Sequence, residues 1–368
     1  MKTNIVVGAG ISGIVIANLL ATLRNEKVLL VDRRTNIGGN CYDYRDKNGI
    51  MIHKFGSHIF HTSNDQVWNY LKHFTDFNQY MHKVVALVDG IETVTPFNLN
   101  SLADVFPKTM AKKFEVKLLE KYGFGSKVSV LDLKQEDDSD LKFLGEYVYE
   151  NVFLPCAAKL YGQAPAEVDS SLAAETFVYV SKDNRYYKDK YQGLPLDGYT
   201  AMLERMIMHP NIELRLGIDY KEVTAKFDRV FYTGSIDEYF NYELGQLPYR
   251  SVVWKLEEHD KDYYQANSVV EYPSNYDFAK VHEYKHYMND KSQKTVIAKE
   301  YTTAFELGRT ERAYPLQAAG AELYQKYVEK AKSLKNVYFL GRLGDYKCYN
   351  MDEAVARAIE VFENIGKN

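Results

Sequence analysis

Residues 2–13 read Lys2-Thr3-Asn4-Ile5-Val6-Val7-Gly8-Ala9-Gly10-Ile11-Ser12-Gly13, a short apolar run that ends in Gly-x-Gly-x-x-Gly. Ile14, Ala17, Asn18, Leu20 and Ala21 follow at near-helical spacing. Val28-Leu29-Leu30-Val31 is a second apolar run, and it ends in Asp32. Strand, glycine turn, helix, strand and acid is the order of a dinucleotide-binding unit. Gly8 permits the tight turn, and Gly10 lets a pyrophosphate approach the backbone. Gly13 lets the helix pack on the strand, and the helix N-terminus faces the phosphates. Asp32 is placed to accept hydrogen bonds from ribose hydroxyls. A purely structural glycine turn is the competing reading of the same residues.

Outward from this unit, Ile37-Gly38-Gly39-Asn40 continues the site, and an acid followed by Gly-Gly resembles FAD enzymes more than NAD dehydrogenases. Asp228–Gly234 and Val337–Arg342 read as two further apolar strands, each ending in Gly or Thr-Gly. A helix follows from about Met351, and its N-terminus offers a second place for a flavin or a pyrophosphate. Pieces so far apart predict one discontinuous FAD domain.

Composition sets the outer limits. The chain has 368 residues, 46% hydrophobic and 26% charged, which is globular and long enough for two or three domains. Its net charge of −4 gives no footprint for nucleic acid. No run is long and apolar enough to span a membrane, and no signal peptide is recognised. The three cysteines Cys41, Cys156 and Cys348 are far apart, so a reduced cytoplasmic protein is expected. His53, His58 and His61 lack partners at metal-ligand spacing, so no metal site is expected.

The segment Ile52-His53-Lys54-Phe55-Gly56-Ser57-His58-Ile59-Phe60-His61-Thr62 reads as a strand with a glycine kink, and core packing would account for much of it. It also resembles the flavin-facing His-Ile-Phe-His-Thr segment of UDP-galactopyranose mutases. Ile37–Asn40, Tyr191–Pro195, Gly198-Tyr199-Thr200, Tyr314-Pro315 and Gly341–Gly344 are similar to the same family, in order, over essentially the whole chain.

That resemblance implies an α/β fold with a discontinuous Rossmann-like FAD domain (1–75, 200–248 and 328–368). It implies a mainly helical domain (76–160) and an antiparallel β-sheet substrate domain (161–199 and 249–327). It implies an isomerase that interconverts pyranose and furanose forms of a nucleotide sugar, with N5 of reduced FAD attacking the anomeric carbon. The family further implies a homodimer, and priming of the flavin implies an external reductant such as NAD(P)H.

By the same resemblance Gly8, Gly10, Ser12, Gly13, Asp32, Arg33, Gly38, Gly39, Asn40, His58, Ile59, Arg342, Met351 and Asp352 would hold FAD. His58, Arg250 and Arg342 would be catalytic. Arg250, Tyr186 and Tyr314 match positions around the substrate diphosphate.

The departures gather on the substrate side. Glu175 and Lys280 stand where the family has clamping arginines, so one charge is reversed and one loses its fork. Cys156 replaces a base-stacking Tyr and Tyr161 an indole. Cys348 stands for a Tyr, Asn350 for an Asp, and His82 and Val270 for Asn. A different sugar or nucleotide is therefore expected. A flavin oxidoreductase on the same scaffold, and a non-catalytic FAD-binding relative, are the alternatives.

Overall fold

A computed structural model describes residues 2–162 and 176–365. Five parallel strands form the first sheet, in the order Ile212–Leu216, Lys27–Asp32, Thr3–Val7, Arg229–Tyr232 and Val337–Phe339. Each of the three central strands is rich in Val, Leu, Ile or Phe, as strands covered on both faces are. Thr3–Val7 pairs with Lys27–Asp32 on one edge and Arg229–Tyr232 on the other, and their C-terminal ends converge at Val7, Val31 and Tyr232. That edge is where open parallel sheets bind ligands.

Helix Ile11–Leu23 is buried along Ile11–Ala21, so it shows no polar stripe and lies between other elements. It packs against helices Tyr199–Ile207 and Met351–Asn364 on one face of the sheet. The opposite face, at Ile5, Leu29 and Val31, is covered by Ile218, Tyr220, Val223 and Phe227.

The second sheet has seven strands, in the order Tyr314–Pro315, Tyr249–His259, Thr295–Ala304, Lys280–Glu283, Val269–Glu271, Val84–Val88 and Ile91–Thr95. This corrects two expectations. Residues 84–95 belong to this sheet and not to the helical domain. Their sequence carries the signal: two β-branched runs flank Asp89-Gly90, and both turn residues have positive φ, +49° and +80°. The sheet is also not wholly antiparallel, because Val84–Val88 runs parallel to Val269–Glu271. Parallel neighbours need a long crossover, and the chain between them, including the helical domain, supplies it.

The helical domain packs Leu99–Val105, Lys108–Tyr122, Val130–Lys134 and Ser139–Val148 around Phe106, Phe114, Leu118 and Leu144, while Leu154–Tyr161 reaches strand Thr295–Ala304 of the second sheet. Its acidic run is more than a solvated loop. Lys117 pairs with Asp138 and Asp140, Lys121 pairs with Glu136, and Asp138 caps the next helix.

The described part of residues 161–199 does not join the seven-stranded sheet. Phe177–Tyr179 pairs with Lys127–Ser129 of the helical domain, and Tyr191–Gly193 pairs with Phe60–Thr62 of the cofactor domain. Helix Gln317–Ala331 likewise turns away from that sheet, burying Tyr327 beside Ile236, Leu247 and Tyr346.

Candidate functional site

A cleft lies over the C-terminal ends of the parallel strands. Its first wall is the glycine turn. Gly8 has φ of +103°, and a Cβ there would lie 2.0 Å from Thr233 Oγ1. A Cβ on Gly13 would lie 1.9 Å from the Gly8 carbonyl oxygen, so the helix can sit on the strand only with glycine here. Gly38 bridges to Gly10 and donates its N–H to Ala9 O at 2.8 Å. Helix Ile11–Leu23 has Gly10 as N-cap and no side-chain cap. Its first amides therefore open onto the cleft beside Gly10, Ile11 and Ser12, where an anion would complete them.

Asp32 ends its strand at the same edge. Its carboxylate accepts from Ala9 N at 2.7 Å and Arg34 N at 2.8 Å, which fixes it while leaving lone pairs for a ligand hydroxyl. Arg33 lines the cleft but is half exposed and pairs with Glu238. Arg34, absent from the sequence expectations, is the more enclosed of the two. It bonds Asn40 Oδ1 and Glu311 and lies 4.7 Å from the Phe55 ring centroid. Ile218–Lys221, Glu238 and Arg312 also line this end. They follow no motif, so only the fold brings them here.

His58 and Arg342 line the same cleft. His58 Nδ1 lies 2.7 Å from the Gly56 carbonyl, which can only accept, so Nδ1 carries the proton. Burial, then the neighbouring His53, push its pKa down to about 4, so the ring is neutral at physiological pH. The lone pair is left at Nε2, which has no partner among the described residues. Arg342 donates to Ala313 O at 3.3 Å and Tyr349 O at 2.7 Å. It meets no carboxylate among the described residues, so its charge is available to a ligand.

Three of the expected cofactor residues do not line the cleft. Ile59 is core and Gly13 is a packing contact. Met351 lines the cleft, but Asp352, one residue on, does not. The second helix N-terminus is already closed: Asn350 N donates to Glu353 Oε2 at 2.8 Å. The first helix start has no such closure.

The substrate expectations gather around Lys280. This ammonium acts on Cys156, Tyr186, His82 and Tyr314. Lys280 Nζ lies 2.6 Å from Glu271 Oε1. Burial disfavours the ammonium, but Glu271 and then Tyr186 and Glu300 overcome it and hold its pKa well above the usual range. Lys280 is thus a neutralised cation.

Burial pushes the Cys156 thiol up to about 12, so it is an inert, protonated group. Burial also pushes Tyr314 up to about 12. His82 donates its backbone N–H to Gln192 Oε1 at 2.6 Å and stacks near Tyr187.

Arg250 pairs in register with Tyr314, and its Nε donates to Leu160 O at 3.2 Å. Like Arg342, it has no carboxylate partner among the described residues. The Arg342 guanidinium lies 5.6 Å from the Tyr314 ring centroid, so Tyr314 stands between the two available arginines. Cys348 is exposed near Pro315, with its thiol 3.7 Å from that carbonyl. Tyr161 ends its helix, and Glu175 lies outside the described residues.

With this geometry in place, comparison with known proteins is decisive. Residues 151–348 match the profile of the UDP-galactopyranose mutase family, and residues 6–74 match an NAD(P)-binding Rossmann-like domain. The chain belongs to the UDP-galactopyranose mutase family. It is therefore an isomerase, and its cofactor is a flavin.

The chain is 33% identical to the dTDP-fucopyranose mutase of Escherichia coli, over 100% of this chain and 99% of that one. It is 34% identical to a probable UDP-galactopyranose mutase of Klebsiella pneumoniae, over 98% and 93%. A solved structure of reduced UDP-galactopyranose mutase superimposes with a TM-score of 0.72 at 13% identity, covering 99% of this chain and 94% of that one. At that identity the superposition speaks to the fold alone. The relatives favour the mutase reading over the flavin oxidoreductase and the non-catalytic relative.

Proposed function

We propose that the chain interconverts the pyranose and furanose forms of a pyrimidine-nucleotide-linked, galactose-like sugar, with reduced FAD as cofactor. One observation carries this reading. One cleft is lined by an uncapped helix start, Asp32, a neutral His58 and an available Arg342. The residues present fit a dinucleotide: a glycine turn with no room for side chains, open amides for the pyrophosphate, and Asp32 for a ribose.

When bound, reduced FAD supplies the nucleophile for the anomeric carbon. The chain's own residues orient and charge the site. Arg342 and Arg250 flank Tyr314 and would take the diphosphate, which the family's other clamping position cannot do while Lys280 is paired with Glu271. His58, held as its Nδ1–H tautomer, presents a lone pair to a ligand proton. In a galactose-like sugar the net change breaks one C1–O5 bond, makes one C1–O4 bond and moves one proton between those oxygens. No net oxidation occurs, so a reductant such as NAD(P)H is needed only to prime the flavin.

Family resemblance further supports a homodimer, a cytoplasmic location and a role in polysaccharide biosynthesis. The test is a reductive assay: dithionite-reduced holoenzyme with a panel of UDP-, dTDP- and GDP-linked sugars. Furanose product from a UDP- or dTDP-sugar is expected. No furanose product from any of them overturns the proposal.

A further inference from the structure

Ser57 lies between Gly56 and His58, yet it takes no part in the cleft. Its hydroxyl is 2.5 Å from His282 Nδ1 and also bonds the Tyr287 hydroxyl. On the far side of that ring, His282 Nε2 is 2.9 Å from Glu300 Oε2. Both side chains are buried, 6% and 5% exposed. Strand register fixes them, with His282 opposite Ala298 and Lys280 opposite Glu300.

The roles of the atoms follow one another. Burial raises the Glu300 carboxyl, but the His282 ring N–H and the Lys280 charge override it and hold it below its usual value. An ionised carboxylate only accepts, so His282 Nε2 carries the hydrogen. On the other side of the ring, Nδ1 meets the Ser57 hydroxyl, which in turn shares a hydrogen bond with the Tyr287 hydroxyl.

The turn next to Ser57 carries the cofactor-facing imidazole and is held on every side. His58 N donates to His53 Nδ1 at 3.1 Å, and Tyr199 donates to His58 O at 2.9 Å. Behind Gly56, a Cβ would lie 2.2 Å from the Trp254 ring, and that ring packs edge-on against His282, centroids 5.2 Å apart. His282 therefore touches both Ser57 and the wall behind Gly56.

We propose that Glu300 and His282 are positioning residues that act through the Ser57 hydroxyl to fix the turn bearing His58, so that a carboxylate in the substrate sheet sets the aim of the His58 lone pair. The proposal rests on the reading that His58 faces the cofactor. A buried, fully partnered chain of this kind can hold a reactive group to the small tolerance that catalysis requires.

Two measurements test it. In reduced holoenzyme, Ser57→Ala lowers kcat on the order of 10- to 100-fold, the usual cost of a small misplacement. KM stays within about twofold and flavin content is retained, the pattern of a lost transition-state interaction. Ser57→Thr, which keeps the hydroxyl, recovers most of kcat. Unchanged kcat in Ser57→Ala overturns the proposal, as does a loss that Ser57→Thr does not rescue.

The second measurement needs no turnover. In the ¹⁵N-histidine-labelled full chain, His282 shows the Nε2–H tautomer, and Glu300→Gln abolishes that preference. An Nδ1–H tautomer in the unsubstituted chain overturns the proposal. If no nucleotide sugar is converted at all, the functional reading fails, and the tautomer measurement alone decides this one.

Discussion

The cofactor cleft and the substrate sheet solve the problem of binding anions in opposite ways. The cleft removes side chains: Gly8, Gly10 and Gly13 carry none, and the first amides of an uncapped helix open onto it. The sheet keeps side chains and balances them against each other. Lys280 faces Glu271, and His282 faces Glu300, with each member placed by strand register. Backbone amides carry no net charge to be desolvated, whereas buried ions must be paired. The cleft is therefore ready for a ligand before it arrives, and most of the sheet's charge is already spent on itself. Arg250 and Arg342, bonded to backbone carbonyls and without a carboxylate partner among the described residues, remain to be shared with a substrate.

The sharpest attack on this contrast is Gly13→Ala. The new methyl would meet the Gly8 carbonyl, backbone that cannot step aside, so a loss of about 3 kcal/mol or more is expected. Flavin content should collapse with it. Denaturant unfolding and the flavin-to-protein ratio check both, and a stable, fully loaded variant would break the steric account.

Next in size is acid. His53 and His82 are buried and neutral, both held down to about 3 by burial first and His282 second. Unfolded, each takes up a proton near pH 6.5. Between those values the unfolded chain binds more protons, so stability is fullest above pH 6.5 and falls as pH drops toward 3. The expected slope is about 1.4 kcal/mol per pH unit for each ring in that window. Urea unfolding at pH 7, 6 and 5 measures it, and a flat profile would refute the neutral, buried state of these rings.

The smallest expected effect sharpens the view of the sheet. Glu271→Gln leaves Lys280 without its nearest counter-charge and should cost about 2 kcal/mol. Adding Lys280→Met should return most of that stability, because it is the unpaired ion and not the missing pair that is costly. A double variant no better than the single would show that the pair does more than neutralise itself.

How much of this was legible follows the same divide. The glycine turn, its flanking strands and Asp32 lie within one short stretch, and local spacing carries their physics. Two of the remaining three strands of that sheet announce themselves by apolar runs ending in Gly, and the third, Ile212–Leu216, alternates with the charged Glu213 and Arg215 and gives no such signal. The hairpin at Asp89-Gly90 was equally local, yet it lies beside a long helical region and was absorbed into it.

The pairing of Glu271 with Lys280, and the chain Glu300–His282–Ser57, depends on which residue faces which across strands far apart in sequence. No spacing rule contains that information. Arg34 and Ile218–Lys221 were missed for a related reason: each reaches the cleft by the path of a loop. The rich tyrosine content is resolved in part. Tyr199, Tyr284, Tyr287 and Tyr327 are among the largest fully buried side chains, so many are core with a hydroxyl to place.

The cleft's walls come from the two ends of the sequence, since Gly10 and His58 meet Arg342 and Met351 across it. On a ribosome adding about 5–20 residues per second, the last wall emerges roughly 20–70 s after the first. The nucleotide motif is thus made well before the segment that completes its cleft. Through that interval its apolar helix Ile11–Leu23 waits for the partner Met351–Asn364 that will cover it, so this helix needs shelter while the chain is being made.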